Sequence, residues 1–129
     1  MNWVSLIILL SVVQSMVFGG MVGWARSKYK VEAPATTGNE VFERYFRVHY
    51  NTNEQLIIFL PSIWFYGAFI SSMWAAILGG TYLVGRVLYA IGYIKAPKQR
   101  EFGSLLSTIP TLTLLVGAIY GAIRAIVTG

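Results

Sequence analysis

Cysteine is absent from this 129-residue chain, histidine occurs once, and only 12% of the residues are charged. Without a thiol there is no disulfide framework, no thiolate metal site and no cysteine nucleophile. A single histidine, His49, excludes a multi-histidine metal cluster within one chain. So little charge against 56% hydrophobic residues leaves too few polar side chains to cover a soluble domain of this size. Charge is missing altogether from residues 3–24 and from residues 56–78. No internal repeat or low-complexity tract divides the chain, and its length allows one domain.

What is present is a series of long apolar windows. Residues 3–24 are enough to span about 30 Å of hydrocarbon, and their only polar members are Ser5, Ser11, Gln14 and Ser15. A cleaved signal peptide would need a basic n-region and a shorter apolar run. Gly19 and Gly23, and later Gly117 and Gly121, have the G-x-x-x-G spacing that lets helices approach closely. Residues 26–40 read as a loop broken by Pro34 and Gly38, and residues 41–78 as one long helix kinked by Pro61. Gly79-Gly80 predicts a tight turn into a third helix over 81–96, and a basic loop at 96–100 leads to a fourth over 101–127. The fold class expected is therefore an all-α integral membrane bundle of four transmembrane helices.

The net charge of +5 raises the question of nucleic acid, but the basic residues gather at hydrophobic boundaries, which points to a membrane surface. Nearly all of them fall in or beside the first and third loops, with only Arg124 on the opposite side. The positive-inside rule puts those two loops in the cytosol and both termini outside.

Two polar stripes interrupt the apolar pattern. Glu43, Arg47, Asn51 and Glu54 fall on one face of the second helix, and Arg86, Tyr89 and Tyr93 on one face of the third. Arg100 returns to that second face if the helix continues past Pro97. Arg86 lies more than two helical turns before Lys95, so its charge sits inside the bilayer, where an ionised group faces the bundle interior. Glu54, the deepest acid, is its expected counter-ion, as a structural ion pair between helices. Together Arg47, Asn51, Glu54, Tyr89, Tyr93 and Arg100 offer cations, an amide, a carboxylate and two phenols. That set suits a polar ligand bearing both carboxylates and an amine.

ERYFRVHYNTNEQ (43–55) and YLVGRVLYAIGYIKAPKQR (82–100), with ARSKYKVEAPATTG (25–38), resemble the membrane-associated proteins in eicosanoid and glutathione metabolism, the MAPEG family. The similarity is to its microsomal glutathione transferase and leukotriene-C synthase branch. The resemblance implies a single such membrane domain over 1–129, assembled as a homotrimer with a glutathione site at each subunit interface. It implies that Arg100 faces the glutathione sulfur and stabilises the thiolate, that Arg47, Asn51, Glu54, Tyr89 and Tyr93 hold the tripeptide, and that Arg26 and His49 reach in from a neighbour. The implied activity is conjugation of glutathione to lipophilic electrophiles arriving from the bilayer, a detoxification chemistry, with glutathione-dependent reduction of lipid hydroperoxides as a side activity. No metal and no nucleic acid are expected. The membrane is a bacterial inner membrane or an endoplasmic reticulum. Gln55 departs from leukotriene-C synthase, which has an aromatic residue after the motif's glutamate, and this speaks against a specific leukotriene role.

Two rival readings are weighed against this one. A non-catalytic lipid-binding protein of the same fold would lose the activating arginine, and Arg100 is present. A small multidrug exporter would want an acid within its first span, and residues 3–24 contain none.

Overall fold

The computed structural model describes residues 1–129 and is built almost wholly of helix. Four long helices follow one another: α1 (Asn2–Tyr29), α2 (Glu40–Phe69), α3 (Ser72–Lys95) and α4 (Glu101–Thr128). A short 3-10 turn, Pro97–Arg100, joins α3 to α4. α3 packs against the other three helices, and α2 also packs against α1 and α4.

Each boundary has a local cause. α1 ends where Lys30 takes a left-handed conformation (φ 57°) and returns its N–H to the Arg26 carbonyl. α2 starts at Asn39, whose side chain accepts from the Phe42 N–H at 2.9 Å, and Glu40 and Glu43 complement the positive end of the helix dipole. It then runs unbroken through Pro61.

The turn expected at Gly79-Gly80 is not there; both residues lie inside α3, and the chain reverses at Ile70 and Ser71. Ser71 caps α3 by accepting from the Trp74 N–H at 3.2 Å. Gly79 serves packing instead: a Cβ there would lie 2.5 Å from Ile63 Cδ1 and 2.7 Å from Ile7 Cγ2, so α1 and α2 close on α3 at this point. The second helix is accordingly shorter than residues 41–78, the third longer than 81–96, and α1 extends beyond residue 24.

By length and composition α1, α3 and the 97–128 segment are long and apolar enough to cross a membrane. α2 does not meet that standard, because its first half carries Glu40, Glu43, Arg44, Arg47 and Glu54. The bundle wears its apolar residues outside as well as inside: Trp3, Leu9, Met16, Ile57 and Ile126 are all widely exposed. Such a surface suits lipid rather than water. The core runs along the bundle in three patches, centred on Phe59 stacked against Tyr82 (ring centroids 3.9 Å apart), on Phe18, Val48 and Tyr89, and on Val22, Ala25 and Phe42.

α3 and α4 meet backbone to backbone. A Cβ at Gly85 would fall 2.6 Å from the Ser107 amide nitrogen, and one at Gly103 would collide with the backbone of Tyr89 and Leu88. Gly103→Ala should therefore force the helices apart and lower stability by about 1–3 kcal/mol. Gly80→Ala, at a helical position with nothing within 4 Å of the new methyl, should be neutral or slightly stabilising. Thermal unfolding of the two variants in detergent checks the contrast; equal melting temperatures would refute the close-approach role of Gly103.

Candidate functional site

Arg86 is the anchor of the site and is fully buried. Its Nη2 donates to Asn51 Oδ1 and to Thr52 Oγ1, both at 2.8 Å, and its Nη1 donates to Ser107 Oγ at 3.2 Å. Its guanidinium carbon sits 4.1 Å from the centroid of the Tyr89 ring. Three helices thus converge on one cation through neutral oxygens and a π-face, which disperse its charge without a carboxylate.

The expected Arg86–Glu54 ion pair is not formed. The chain's one ion pair is Arg44 with Glu40, at 3.8 Å, and Glu54 is exposed. The reason is angular. Arg86 meets α2 between Asn51 and Thr52, and Glu54 lies roughly 110° around the helix from the midpoint of those two contacts, on the flank beyond Asn51 rather than towards Arg86.

From Arg86 a column leads outward in which two aromatic rings lie between two guanidinium groups. Tyr89 packs on Tyr93 (centroids 5.6 Å apart, tilted 51°), and the Arg100 guanidinium lies 5.6 Å from the Tyr93 ring. Tyr89 is buried, Tyr93 half-buried and Arg100 exposed, so the column passes from the core to the surface. The continuing helix on which the Arg100 spacing was conditional is not formed, and the chain turns at 97–100 instead. Pro97 lacks an N–H and holds Ala96 extended (φ −160°, ψ 127°), which ends α3 at Lys95. The 3-10 turn then folds back, Arg100 Nη1 donates to the Pro97 carbonyl at 2.6 Å, and the side chain returns to Tyr93.

Of the residues singled out from sequence, the fold gathers Asn51, Arg86, Tyr89, Tyr93 and Arg100. Arg47 and Glu54 are exposed on α2 and make no ion pair within the chain. Arg26 belongs to the other end of the first loop: its Nη1 donates to Ala35 O at 2.6 Å and its guanidinium covers the Phe42 ring at 4.9 Å. His49 is turned onto α1, where its Nε2 would lie 3.1 Å from a Cβ on Gly19 and is 3.2 Å from Asn53 Nδ2. Asn53 Oδ1 in turn accepts from Ser15 Oγ. Gly19 is thus used for helix packing, as are Gly117 and Gly121 against Tyr66 and Phe69, whereas Gly23 faces open space.

Sequence reasoning missed Thr52, Ser107 and Arg44. Thr52 is adjacent to the stripe at Asn51, and Ser107 begins an S-x-x-x-T repeat with Thr111 whose hydroxyls bond back to α4 carbonyls. That spacing is a readable sign of one polar line on an apolar helix.

The comparison with known proteins bears on this geometry. The model of the MAPEG family matches residues 4–120. The chain belongs to the MAPEG family. It is 43% identical over 112 residues to microsomal glutathione S-transferase 2 of Homo sapiens, covering 86% of this chain and 76% of the relative. It is 36% identical over 108 residues to leukotriene C4 synthase of Bos taurus, covering 84% and 71%. An uncharacterised protein of Synechocystis is 47% identical over 117 residues, covering 91% and 85%. Like the MAPEG fold it shares, the chain is an all-helical integral membrane bundle, and the matched span contains every residue of the Arg86–Arg100 column.

Proposed function

We propose that this MAPEG protein is a membrane glutathione transferase that joins the glutathione thiolate to lipophilic electrophiles. The observation that carries the reading is the Arg86–Tyr89–Tyr93–Arg100 column, which ends in an exposed cation and stands beside Asn51. Relatives named for glutathione transfer and leukotriene C4 synthesis support it.

The difficulty in this reaction is the thiol. A free cysteine thiol ionises at about 8.5, so at neutral pH most glutathione carries no nucleophile. Arg100 beside the sulfur favours the anion, in surroundings where the attraction is less screened than in bulk water. Arg47, Asn51, Glu54, Tyr89 and Tyr93 hold the carboxylates, amine and amides of the tripeptide. The sulfur–carbon bond forms as the electrophile's leaving group departs or its ring opens, and the thiol proton has already gone to water. In the side reaction the thiolate attacks a lipid hydroperoxide oxygen, releasing the alcohol and a sulfenic acid that a second glutathione reduces, with formation of glutathione disulfide and water. A groove of about 390 Å³ between α3 and α4, lined by Leu78, Phe102, Leu105 and Ile109, gives a greasy substrate a lateral approach, its Phe102 end two residues along the chain from Arg100.

The assembly we infer is a trimer of four-span subunits. Arg47 and Glu54 are exposed and unpaired on a helix flanked by apolar surface, a costly arrangement in lipid. Closing that face against a second copy covers them, and Arg26 and His49, displaced toward α1, then serve an adjacent subunit's site. The first loop and the Pro97–Arg100 turn face the cytosol, following their basic residues. The test is conjugation of glutathione to a chromogenic aryl halide by detergent-purified protein. Turnover above that of heat-inactivated protein is expected; none, in protein that binds no glutathione, would end the reading.

A further inference from the structure

Arg44 has no part in the chemistry described so far, yet its side chain is four-fifths covered and makes the subunit's one ion pair, with Glu40. Its Nη1 donates to two backbone carbonyls of α3, Ile94 O at 3.2 Å and Lys95 O at 3.4 Å. We propose that Arg44 is a positioning residue that clasps the end of α3 and thereby fixes the Pro97–Arg100 turn and the guanidinium of Arg100. The effect on catalysis rests on the transferase reading above; the effect on the turn does not.

Helix α3 needs such a partner. Its last carbonyls have no amide of a following helical turn to bond, and Pro97 has removed one donor outright. The Gln99 N–H bonds Ala96 O at 2.8 Å, not Lys95 O. A guanidinium at this end also meets the negative end of the α3 dipole. The turn itself presses back onto α3 at Gly92, where a Cβ would collide with the Gln99 carbonyl. Arg100 then closes the turn through Pro97 O and reaches Tyr93.

Of these contacts, Gly92, Pro97 and Arg100 all lie on α3 or the turn. Arg44 alone comes from α2, three residues before Arg47 and seven before Asn51. It therefore sets the register between the α2 half of the site and the turn that carries Arg100. Glu40 pairs with Arg44 from an exposed position, 87% accessible, so its own contribution is small.

Hydrogen exchange followed by mass spectrometry on the full chain in detergent tests the clasp, read at a peptide spanning residues 94–102. In Arg44→Gln, loss of charge-assisted bonds should speed exchange of the Gln99 and Arg100 amides by about tenfold. Arg44→Lys should recover part of the protection, and Glu40→Gln should leave it unchanged. The ultraviolet absorbance of bound glutathione, followed against pH, should move in Arg44→Gln in the direction of Arg100→Ala, with kcat falling more than glutathione affinity. Unaltered exchange in Arg44→Gln overturns the clasp. Faster exchange with an unmoved thiolate titration, where Arg100→Ala does move it, overturns the link from Arg44 to Arg100. If Arg100→Ala leaves the titration unmoved, the transferase role of Arg100 fails, and the exchange rates still decide whether Arg44 holds the turn. Should Arg44→Gln fail to fold, Arg44→Lys carries the same measurements with a smaller expected change.

Discussion

Arg86→Ala should be the most destabilising single substitution at the site, lowering stability by about 3 kcal/mol or more from the cavity and the acceptors it orphans. The side chain is fully buried, and its removal takes away the donor to the buried Thr52 Oγ1 and Ser107 Oγ and to the half-buried Asn51 Oδ1. Arg86→Met should cost much less. It orphans the same acceptors and loses the same buried cation as Arg86→Ala, but it refills most of the space, so the cavity cost is what separates the two variants. Glu54→Gln should not shift the melting temperature, because Glu54 is exposed and does not pair with Arg86. Thermal unfolding of the three variants in one detergent separates these cases. If Glu54→Gln melts as low as Arg86→Ala, the two residues do depend on each other and the neutral cage around Arg86 is not what holds it.

Arg100→Ala should have the largest effect on turnover and little on folding. The side chain is exposed, and within the protein it bonds only the Pro97 carbonyl of its own turn. Loss of a positioned cation at a developing or resident anion lowers kcat on the order of 10²-fold. Glutathione affinity should fall only modestly, because Asn51, Tyr89 and Tyr93 remain. The chain contains no cysteine, so thiolate absorbance in the ultraviolet reports on glutathione alone. In Arg100→Ala the bound thiol should titrate upward, towards about 8.5 for a free cysteine thiol. Arg100→Lys should rescue in part, since an ammonium supplies the charge without the planar fork. An unmoved titration in Arg100→Ala would falsify the assignment of Arg100 to the sulfur.

The helical bundle was legible because its cause is local. Long uncharged windows can only be helices in lipid, where every backbone group must bond within its own segment. Asn39 and Ser71, which cap α2 and α3, were not singled out from sequence, and the second helix was read through Ser71 to residue 78. Gly79-Gly80 misled because a glycine pair signals a turn in water but close packing between membrane helices. Which of the two applies depends on Ile7 and Ile63, and those lie far away in the chain.

For this protein the sequence by itself determined the family, the apolar bundle and the two polar stripes, since period and composition suffice to place residues on one face of one helix. It did not determine the partners across helices. Arg86 was assigned to Glu54 by charge and depth, yet the rotation of α2 against α3 presents Asn51 and Thr52 instead, and α4 adds Ser107. Arg100 would share the face of Tyr93 only if the helix passed Pro97, which in fact ends it; the folded-back turn brings it to Tyr93 by another route. Arg44 looked like one more basic residue until the end of α3 was laid beside it. In each case the deciding quantity was the relative rotation and approach of two helices, which is set by packing along their whole length and by glycines such as Gly85 and Gly103. No window of sequence contains that information.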